Sequence, residues 1–169
     1  MPDGKIVLNS DEFMKKLRAC SAKIEQRFRW TVMTAVHMAH EEILGRTPVN
    51  TGLTLNNYEW SMGSPAFSMR PAVEIGEYRG TNEMAVGEEP RRPANMVAPK
   101  ASLDALSFSN PYQRYYLTNL GPAILDLEHG IAPTDPKYKK RSPSGMFAVS
   151  LLYIHQMLQN GGEMGIEHI

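Results

Sequence analysis

The sequence predicts an α+β fold: a long N-terminal helix and a C-terminal helix packed on a small antiparallel β-sheet, with a long loop insertion. Three patterns indicate this class: apolar residues three and four apart over residues 13–43, apolar–polar alternation over 55–62, and a second helical stripe after residue 143. A length of 169 residues suffices for one hydrophobic core. We expect a single domain over residues 1–169, with its core at about 9–160 and a flexible tail at 161–169.

The first helix has a recognisable start and end. Asn9 is a suitable N-cap with Glu12 three residues later, and Gly45 and Pro48 are expected to stop the helix. At ~1.5 Å per residue, such a helix is roughly 50 Å long, so we expect part of it to be covered by a partner. Cys20, on its apolar face, is expected to be a small buried hydrophobe. The apolar face consists of Phe13, Leu17, Cys20, Ile24, Phe28, Val32, Val36, Ala39 and Ile43.

Shorter elements follow the first helix. Alternation from Leu55 to Met62, with Tyr58, Trp60 and Met62 on one face, predicts a half-buried strand. Other patterns predict short strands at 72–75, 106–109 and 115–120, a short helix from Gly121 to about His129, and a last helix from Ser142 to about Gly161.

Two stretches have no helical or strand period. Residues 77–100 combine prolines, glycines and mixed charges, which favours a long loop, and residues 132–144 resemble a second exposed loop. Together with the long helix, the 77–100 loop is expected to supply contacts with other subunits or partner proteins.

Composition excludes several classes of protein. Lys and Arg together number 18, as do Asp and Glu, so the chain lacks the basic excess of a typical nucleic-acid-binding protein. One cysteine allows neither an internal disulfide nor a thiolate zinc cluster. We find no signal-peptide pattern and no stretch apolar enough to span a membrane, so we expect a protein made in the cytoplasm.

Catalytic chemistry has weak support. His37, His40 and Glu41 have the side chains of metal ligands, but the histidines are three residues apart instead of the four of a zincin helix. Glu128 and His129 are adjacent, so on a helix they point about a hundred degrees apart. We expect no enzyme activity, no catalytic residue, no cofactor and no metal. A small metal-dependent hydrolase using His37, His40 and Glu41 is the alternative of another class.

A second alternative is a nucleic-acid-binding module. Tyr112, Tyr115 and Tyr116 surround Arg114 and could stack on single-stranded bases, and residues 137–141 are rich in lysine and arginine. Ordinary packing of strand aromatics and a solvated loop explain the same residues more simply.

Three phrases and one asparagine occur in an order that resembles the tail-completion, or tail-component, family of tailed bacteriophages. They cover roughly residues 10–160. These are Thr47-Pro48-Val49-Asn50-Thr51-Gly52 before a polar, aromatic segment, Asn119, Leu127-Glu128-His129-Gly130, and Pro143-Ser144-Gly145-Met146 before a terminal helix.

The resemblance implies a structural protein of the virion, assembled in the host cytoplasm. Its members form a ring, expected to be a homohexamer, at the head–tail junction, where they join the connector to the tail and let DNA pass as cargo. The expected partners are other copies and other neck, connector and tail proteins, with no membrane; a minor tail or tail-terminator protein is the related alternative. The implied structural and assembly residues are Pro48, Thr51, Gly52, Asn119, Glu128, Gly130, Gly145 and Met146.

The resemblance also suggests a role for Glu128. Pro48 and Gly52 are expected to fix a sharp corner between helix and strand. Glu128 is expected to accept backbone or threonine hydrogen bonds that brace this corner.

Overall fold

A computed structural model of the chain describes residues 9–49, 52–73, 91–110, 112–131 and 145–160. It confirms the α+β class, because a long N-terminal helix and a C-terminal helix accompany a small antiparallel sheet. In chain order the elements are α1 (Ser10–Arg46), α2 (Leu53–Asn56), β1 (Tyr58–Met62), α3 (Arg92–Asp104), β2 (Tyr115–Asn119), α4 (Ile124–Glu128) and α5 (Met146–Gln159).

The first helix begins as predicted but ends differently. The Asn9 side chain accepts the backbone N–H of Glu12 at 3.3 Å, which confirms the N-cap. The prediction that Gly45 stops α1 in a left-handed conformation is wrong, since Gly45 lies within the helix. The helix ends where Thr47 turns extended, with φ −72° and ψ 117°. Pro48 causes this change, because a proline disfavours the helical conformation of the residue before it.

Strands β1 and β2 form an antiparallel pair, with Tyr58 opposite Asn119 and Trp60 opposite Leu117. Tyr58 and Trp60 are buried, which confirms the predicted core face of β1, whereas Met62 is exposed. The β2 prediction at 115–120 is also confirmed.

Other predicted strands are wrong or only partly described. Residues 53–56 form the short helix α2, because the chain turns back at once and the Asn56 N–H donates to the Gly52 carbonyl. Residues 72–73 and 106–109 are not strands, and 74–75 lie outside the described residues. Around Ser107 the hydroxyl groups form local hydrogen bonds, and the Leu106 N–H donates to Leu103 after α3 instead of to a strand.

The predicted loop at 77–100 needs correction. Residues 77–90 lie outside the described residues, but Arg92 to Lys100 belong to α3. The prolines suggested a loop, yet Pro93 lies in the first turn, where an N–H is not needed. Pro99 lies inside the helix, and α3 continues past it to Asp104 while packing on β1. The predicted loop at 132–144 and tail at 161–169 also lie outside the described residues.

The core lies between the C-terminal part of α1, the sheet and α3. It has two adjoining parts, which share Ala39 and Leu117 at their border. The buried residues of the first part are Ile43, Leu44, Val49, Leu55 and Tyr58, and those of the second are Val36, Trp60 and Leu103. Helix α5 packs along α1 and adds Phe147 to the first part.

Over the described ranges, we find no helix with both the length and the apolar character needed to cross a membrane.

Candidate assembly site

Gly52 forms the corner after α1 and is in direct contact with Asn95. Its φ is +89°, a left-handed conformation that side-chain-bearing residues rarely adopt. A Cβ added to Gly52 would lie 2.2 Å from Nδ2 of Asn95. The corner therefore requires glycine for its backbone angle and for space. Thr51, which the family resemblance implied as an assembly residue, lies outside the described residues. After the corner the chain forms α2 before strand β1 begins.

Asn95 connects α3 to the segment after β1. Its Oδ1 accepts the N–H of Val73 at 2.9 Å, and its Nδ2 donates to the carbonyl groups of Val73 at 3.2 Å and of Arg91 at 2.9 Å. The side chain is completely buried. The amide pairs with both backbone groups of Val73 and so supplies the two hydrogen bonds that a residue of a neighbouring β-strand would supply. Asn95 was not identified from the sequence, because residues 77–100 were predicted to form a loop.

Arg92 connects α3 to the end of α1. Its guanidinium donates to the Leu44 carbonyl at 2.8 Å and to the Thr47 carbonyl at 2.6 Å. These carbonyl groups lie at the C-terminus of α1, where a helix leaves acceptors without intrahelical donors and carries partial negative charge. The first turn of α3 therefore caps the long helix. This residue was also missed in the sequence.

Thr47 and Tyr58 form a buried polar contact between α1 and β1. The Thr47 hydroxyl donates its proton to the Ile43 carbonyl at 2.8 Å. Its oxygen lies 3.0 Å from the Tyr58 hydroxyl and, having no second proton to donate, accepts the proton of Tyr58. Burial, the largest effect, raises the pKa of Tyr58 far above its ordinary value, and the charge of Glu128 raises it further. Tyr58 therefore stays protonated and acts as a hydrogen-bond donor.

Asn119 connects the end of β2 to α2. Its Nδ2 donates to the Thr54 carbonyl at 2.8 Å, and its Oδ1 accepts the N–H of Gly121 at 2.7 Å. A Cβ on Gly121 would lie 2.9 Å from that Oδ1, so this turn too is packed against the asparagine. The residue singled out by the family resemblance thus holds two segments 65 residues apart in the chain.

Glu128 caps the C-terminal helix. Its carboxylate accepts the backbone N–H of Phe147 at 2.8 Å and of Ala148 at 3.1 Å, and its carbonyl accepts the N–H of Gly145 at 2.7 Å. The prediction that Glu128 braces the corner at Pro48 and Gly52 is therefore wrong. A carboxylate is better placed at the start of α5, where free N–H groups and the helix dipole favour negative charge.

Gly130 and Gly145 shape the ends of the neighbouring helices. Gly130 has φ +67°, and after α4 its N–H donates to the Leu127 carbonyl while that of Ile131 donates to the Asp126 carbonyl. This is the Schellman arrangement that ends helices with glycine. Gly145, with φ +77°, is the N-cap of α5, and Met146 after it is fully buried.

Replacing Glu128 by alanine is expected to lower the free energy of unfolding by roughly 1–2 kcal/mol, the usual cost of a lost helix N-cap. Glu128→Gln keeps one acceptor oxygen but no charge, so it should lie between alanine and the wild type. Urea unfolding followed by circular dichroism measures the difference. Glu25→Ala, on an exposed part of α1, is the matched control; equal effects of Glu128→Ala and Glu25→Ala would refute the cap.

His37 and His40 lie in different surroundings and do not face a common site. His40 is buried, and its Nδ1 accepts the indole N–H of Trp60 at 3.2 Å, whereas His37 is exposed beside Phe108. Burial, the largest effect, lowers the pKa of His40, so the ring is a neutral acceptor in the core. Among the described residues, no three His, Cys, Asp or Glu side chains come together as a metal site. The hydrolase alternative gains no support from this geometry.

The three tyrosines of the nucleic-acid alternative do not form one stacking surface. The Tyr115 ring stacks on Phe108 with ring centroids 5.0 Å apart, and its hydroxyl donates to the Ser107 carbonyl at 2.8 Å. Tyr116 follows Tyr115 on β2 and therefore points to the other side of the sheet. Tyr112 lies beside Phe28, at 5.6 Å between ring centroids. Residues 137–141 are outside the described residues.

Most of α1 extends beyond the core. Its first buried residue is Val36, and every residue from 10 to 31, here called the α1 overhang, is exposed. The exposed fractions are 65% for Phe13, 52% for Leu17 and 62% for Ile24. Cys20 is exposed as well, so the prediction that it is buried is wrong, because the core does not reach this part of the helix.

Helix α5 also has an exposed side without Asp, Glu, Lys or Arg. Met146, Ser150 and Ile154 are buried, and the opposite side carries Ala148, Leu152, His155 and Gln159, one in each turn. We call this side, with its flanking residues, the α5 outer face. The exposed large apolar residues of the helix are Val149, Leu151, Leu152, Tyr153 and Leu158.

Comparison of the chain with protein-family models, with curated proteins and with solved structures gives no match.

Proposed function

We propose that this chain is a structural virion protein of a tailed bacteriophage: a tail-completion or neck protein that assembles into a ring, expected to be a hexamer. The ring would join the head connector to the tail and let DNA pass. The observation that carries the proposal is the α1 overhang, since Phe13, Leu17 and Ile24 along it are exposed, whereas Phe28 nearer the core contacts Tyr112. Contiguous exposed apolar surface of this kind marks a protein–protein interface.

The overhang is more than half of α1 and is too long to be a frayed helix end. Helix α1 has 37 residues, or ~55 Å, and the overhang accounts for roughly 33 Å of that length. Most helices in globular proteins gain their stability by packing an apolar face on a core. The overhang instead presents its apolar face outward from the domain. A protein that functions as a subunit of an assembly explains this arrangement.

The residues of the family resemblance support an architectural role. Gly52, Asn119, Glu128 and Gly145 lie at junctions between elements, and Gly130 ends α4, through a backbone angle, a close contact or a hydrogen bond. Polar groups that are used in this way hold a subunit rigid, which suits a ring that has to fit two other structures. The net charge of zero fits DNA that passes through without being bound tightly.

Replacing Leu17 and Ile24 together by glutamate is expected to convert the assembly to monomers without unfolding the domain. Both side chains are exposed in the single chain, so charge there costs little in the monomer but much in an apolar interface. Native mass spectrometry and negative-stain electron microscopy would show a six-fold ring for the wild type and monomers for the variant.

The matched control replaces two other exposed apolar residues, Phe67 and Val97, which are 79% and 66% exposed, by glutamate. The ring should survive in this control. A wild-type protein that remains a monomer at its highest soluble concentration would contradict the proposed ring. Equal loss of assembly in both double variants would show that the overhang has no special part in it.

A further inference from the structure

We infer that the α1 overhang of one copy docks on the α5 outer face of the next copy. The inference rests on the proposed function, because it names the contact from which the ring would be built. Its occupant is a second copy of this chain, and the surfaces that meet are different parts of the molecule.

Helix α5 has the composition of a helix that is covered on both sides. Met146–Gln159 contains no Asp, Glu, Lys or Arg, although more than half of its residues are exposed. Helices of globular proteins normally have a charged or polar face toward water, and helices that are apolar all round are buried. α1 covers one side of α5 within the chain. The α5 outer face therefore has the character of a second buried surface.

The α1 overhang has the narrow apolar seam of a helix that packs on another helix. Phe13, Leu17, Cys20 and Ile24 follow at intervals of four, three and four residues. This spacing places one apolar side chain per turn along a single line, as in coiled-coil packing. A seam of this width fits one facing helix. The overhang, at roughly 33 Å, is long enough to cover α5, which is roughly 21 Å long.

Charge decides between the two helical partners that a second copy offers. The overhang carries six basic and three acidic side chains, a net charge of +3, whereas α5 has no Asp, Glu, Lys or Arg. Two overhangs facing each other would bring two like net charges together, which is unfavourable, and would leave α5 uncovered. Docking of the overhang on α5 avoids the repulsion and covers both apolar surfaces.

Both surfaces offer exposed large apolar side chains to a contact. Phe13, Leu17 and Ile24 are more than half exposed on the overhang, and Leu151 and Leu152 are more than half exposed on α5. Contact between two copies would remove this apolar surface from water, which is favourable. Because the two surfaces differ, the contact is head-to-tail, and repetition of such a contact closes a ring or continues as a filament.

The single native cysteine makes this contact testable. Cys20 is exposed and lies on the seam of the overhang. A second cysteine is introduced at one position at a time on the α5 outer face: Ala148→Cys, Leu152→Cys, His155→Cys and Gln159→Cys. After mild oxidation, non-reducing electrophoresis should show a ladder of linked dimers, trimers and larger species in at least one variant. The wild type, with Cys20 alone, should give no dimer. Once Cys20–Cys20 links are excluded in this way, a ladder requires disulfides between Cys20 of one copy and the introduced cysteine of the next.

Two controls isolate the contact. Cys20→Ser in the same variant should abolish every species larger than a dimer. Met69→Cys places the second cysteine on another exposed apolar residue, which belongs to neither surface, and should give no ladder.

Three results would overturn the inference, and a fourth would contradict only the neck function. Efficient formation of a Cys20–Cys20 dimer by the wild type would show that two overhangs pair. In the Leu152→Cys variant, a disulfide between Cys20 and the introduced cysteine inside a monomer would show that the overhang folds back on its own α5. A six-fold ring without a ladder in any of the α5 variants would refute the contact and leave the neck function standing. A ladder in a protein that forms open filaments would support the contact and contradict the neck function.

Discussion

Gly52→Ala is expected to lower the free energy of unfolding by roughly 2–5 kcal/mol, a large part of the stability of an ordinary domain. Two effects add. Alanine is disfavoured at φ +89°, and its Cβ would lie 2.2 Å from the Asn95 amide, which is itself fixed by three hydrogen bonds. The neighbouring side chain therefore has little room to move aside. Urea unfolding of purified protein measures the loss.

Gly45→Ala is the matched control for this change. Gly45 is helical, and a Cβ there would meet nothing within 4 Å, so alanine should stabilise α1 by up to about 1 kcal/mol. The same substitution thus has opposite expected effects at two glycines seven residues apart. A Gly52→Ala variant as stable as the wild type would contradict the packing of Gly52 on Asn95.

Asn95→Asp is expected to lower the free energy of unfolding by roughly 3–5 kcal/mol at neutral pH. Aspartate has nearly the same shape and can still accept the N–H of Val73. Its second oxygen, however, would face the carbonyl groups of Val73 and Arg91, which now receive the Asn95 Nδ2 protons. A charge would also be placed in a site that is completely buried. Thermal and urea unfolding measure the effect.

The control is Asn110→Asp in an exposed turn. Its Oδ1 accepts the N–H of Tyr112 at 3.0 Å, and aspartate retains this acceptor, so the change in stability should stay within about 0.5 kcal/mol. A small effect of Asn95→Asp, similar to that of Asn110→Asp, would show that Asn95 does not hold α3 to Val73.

The sequence was most informative where structure depends on local patterns. The cap at Asn9, the helix end at Pro48, strand β2 and the presence of helix α5 are set by residues close together in the chain, so periodicity and capping rules found them. The α+β class followed from these elements. The stripe of α1 was also correct as a pattern, but periodicity alone cannot distinguish a face that packs on the core from one left exposed, which is why the burial of Cys20 was predicted wrongly.

Long-range pairs were beyond these rules. Asn95 pairs with a residue 22 positions away, and Arg92 caps a helix through a carbonyl 45 positions away. Nothing in the local sequence identifies such partners. Pro93 at a first helical turn was a usable signal for α3, but the interior Pro99 outweighed it. For Glu128, hydrogen bonding to backbone groups was predicted correctly, but the predicted partner was wrong. The N–H groups that its carboxylate accepts belong to α5 and begin 19 residues further along the chain, so local sequence does not identify them.

The extent of the α1 overhang links assembly to a helix–coil equilibrium. Residues 10–31 have few tertiary contacts in the single chain, so their order depends mainly on backbone hydrogen bonds along the helix and on continuity with the anchored half of α1. A helix held in this way is only marginally stable and frays from its free end. Its ordering therefore contributes an unfavourable entropy to binding, which the cap at Asn9 and the Glu12–Lys16 ion pair reduce. Affinity between subunits would consequently be adjustable by residues that never touch the neighbouring copy.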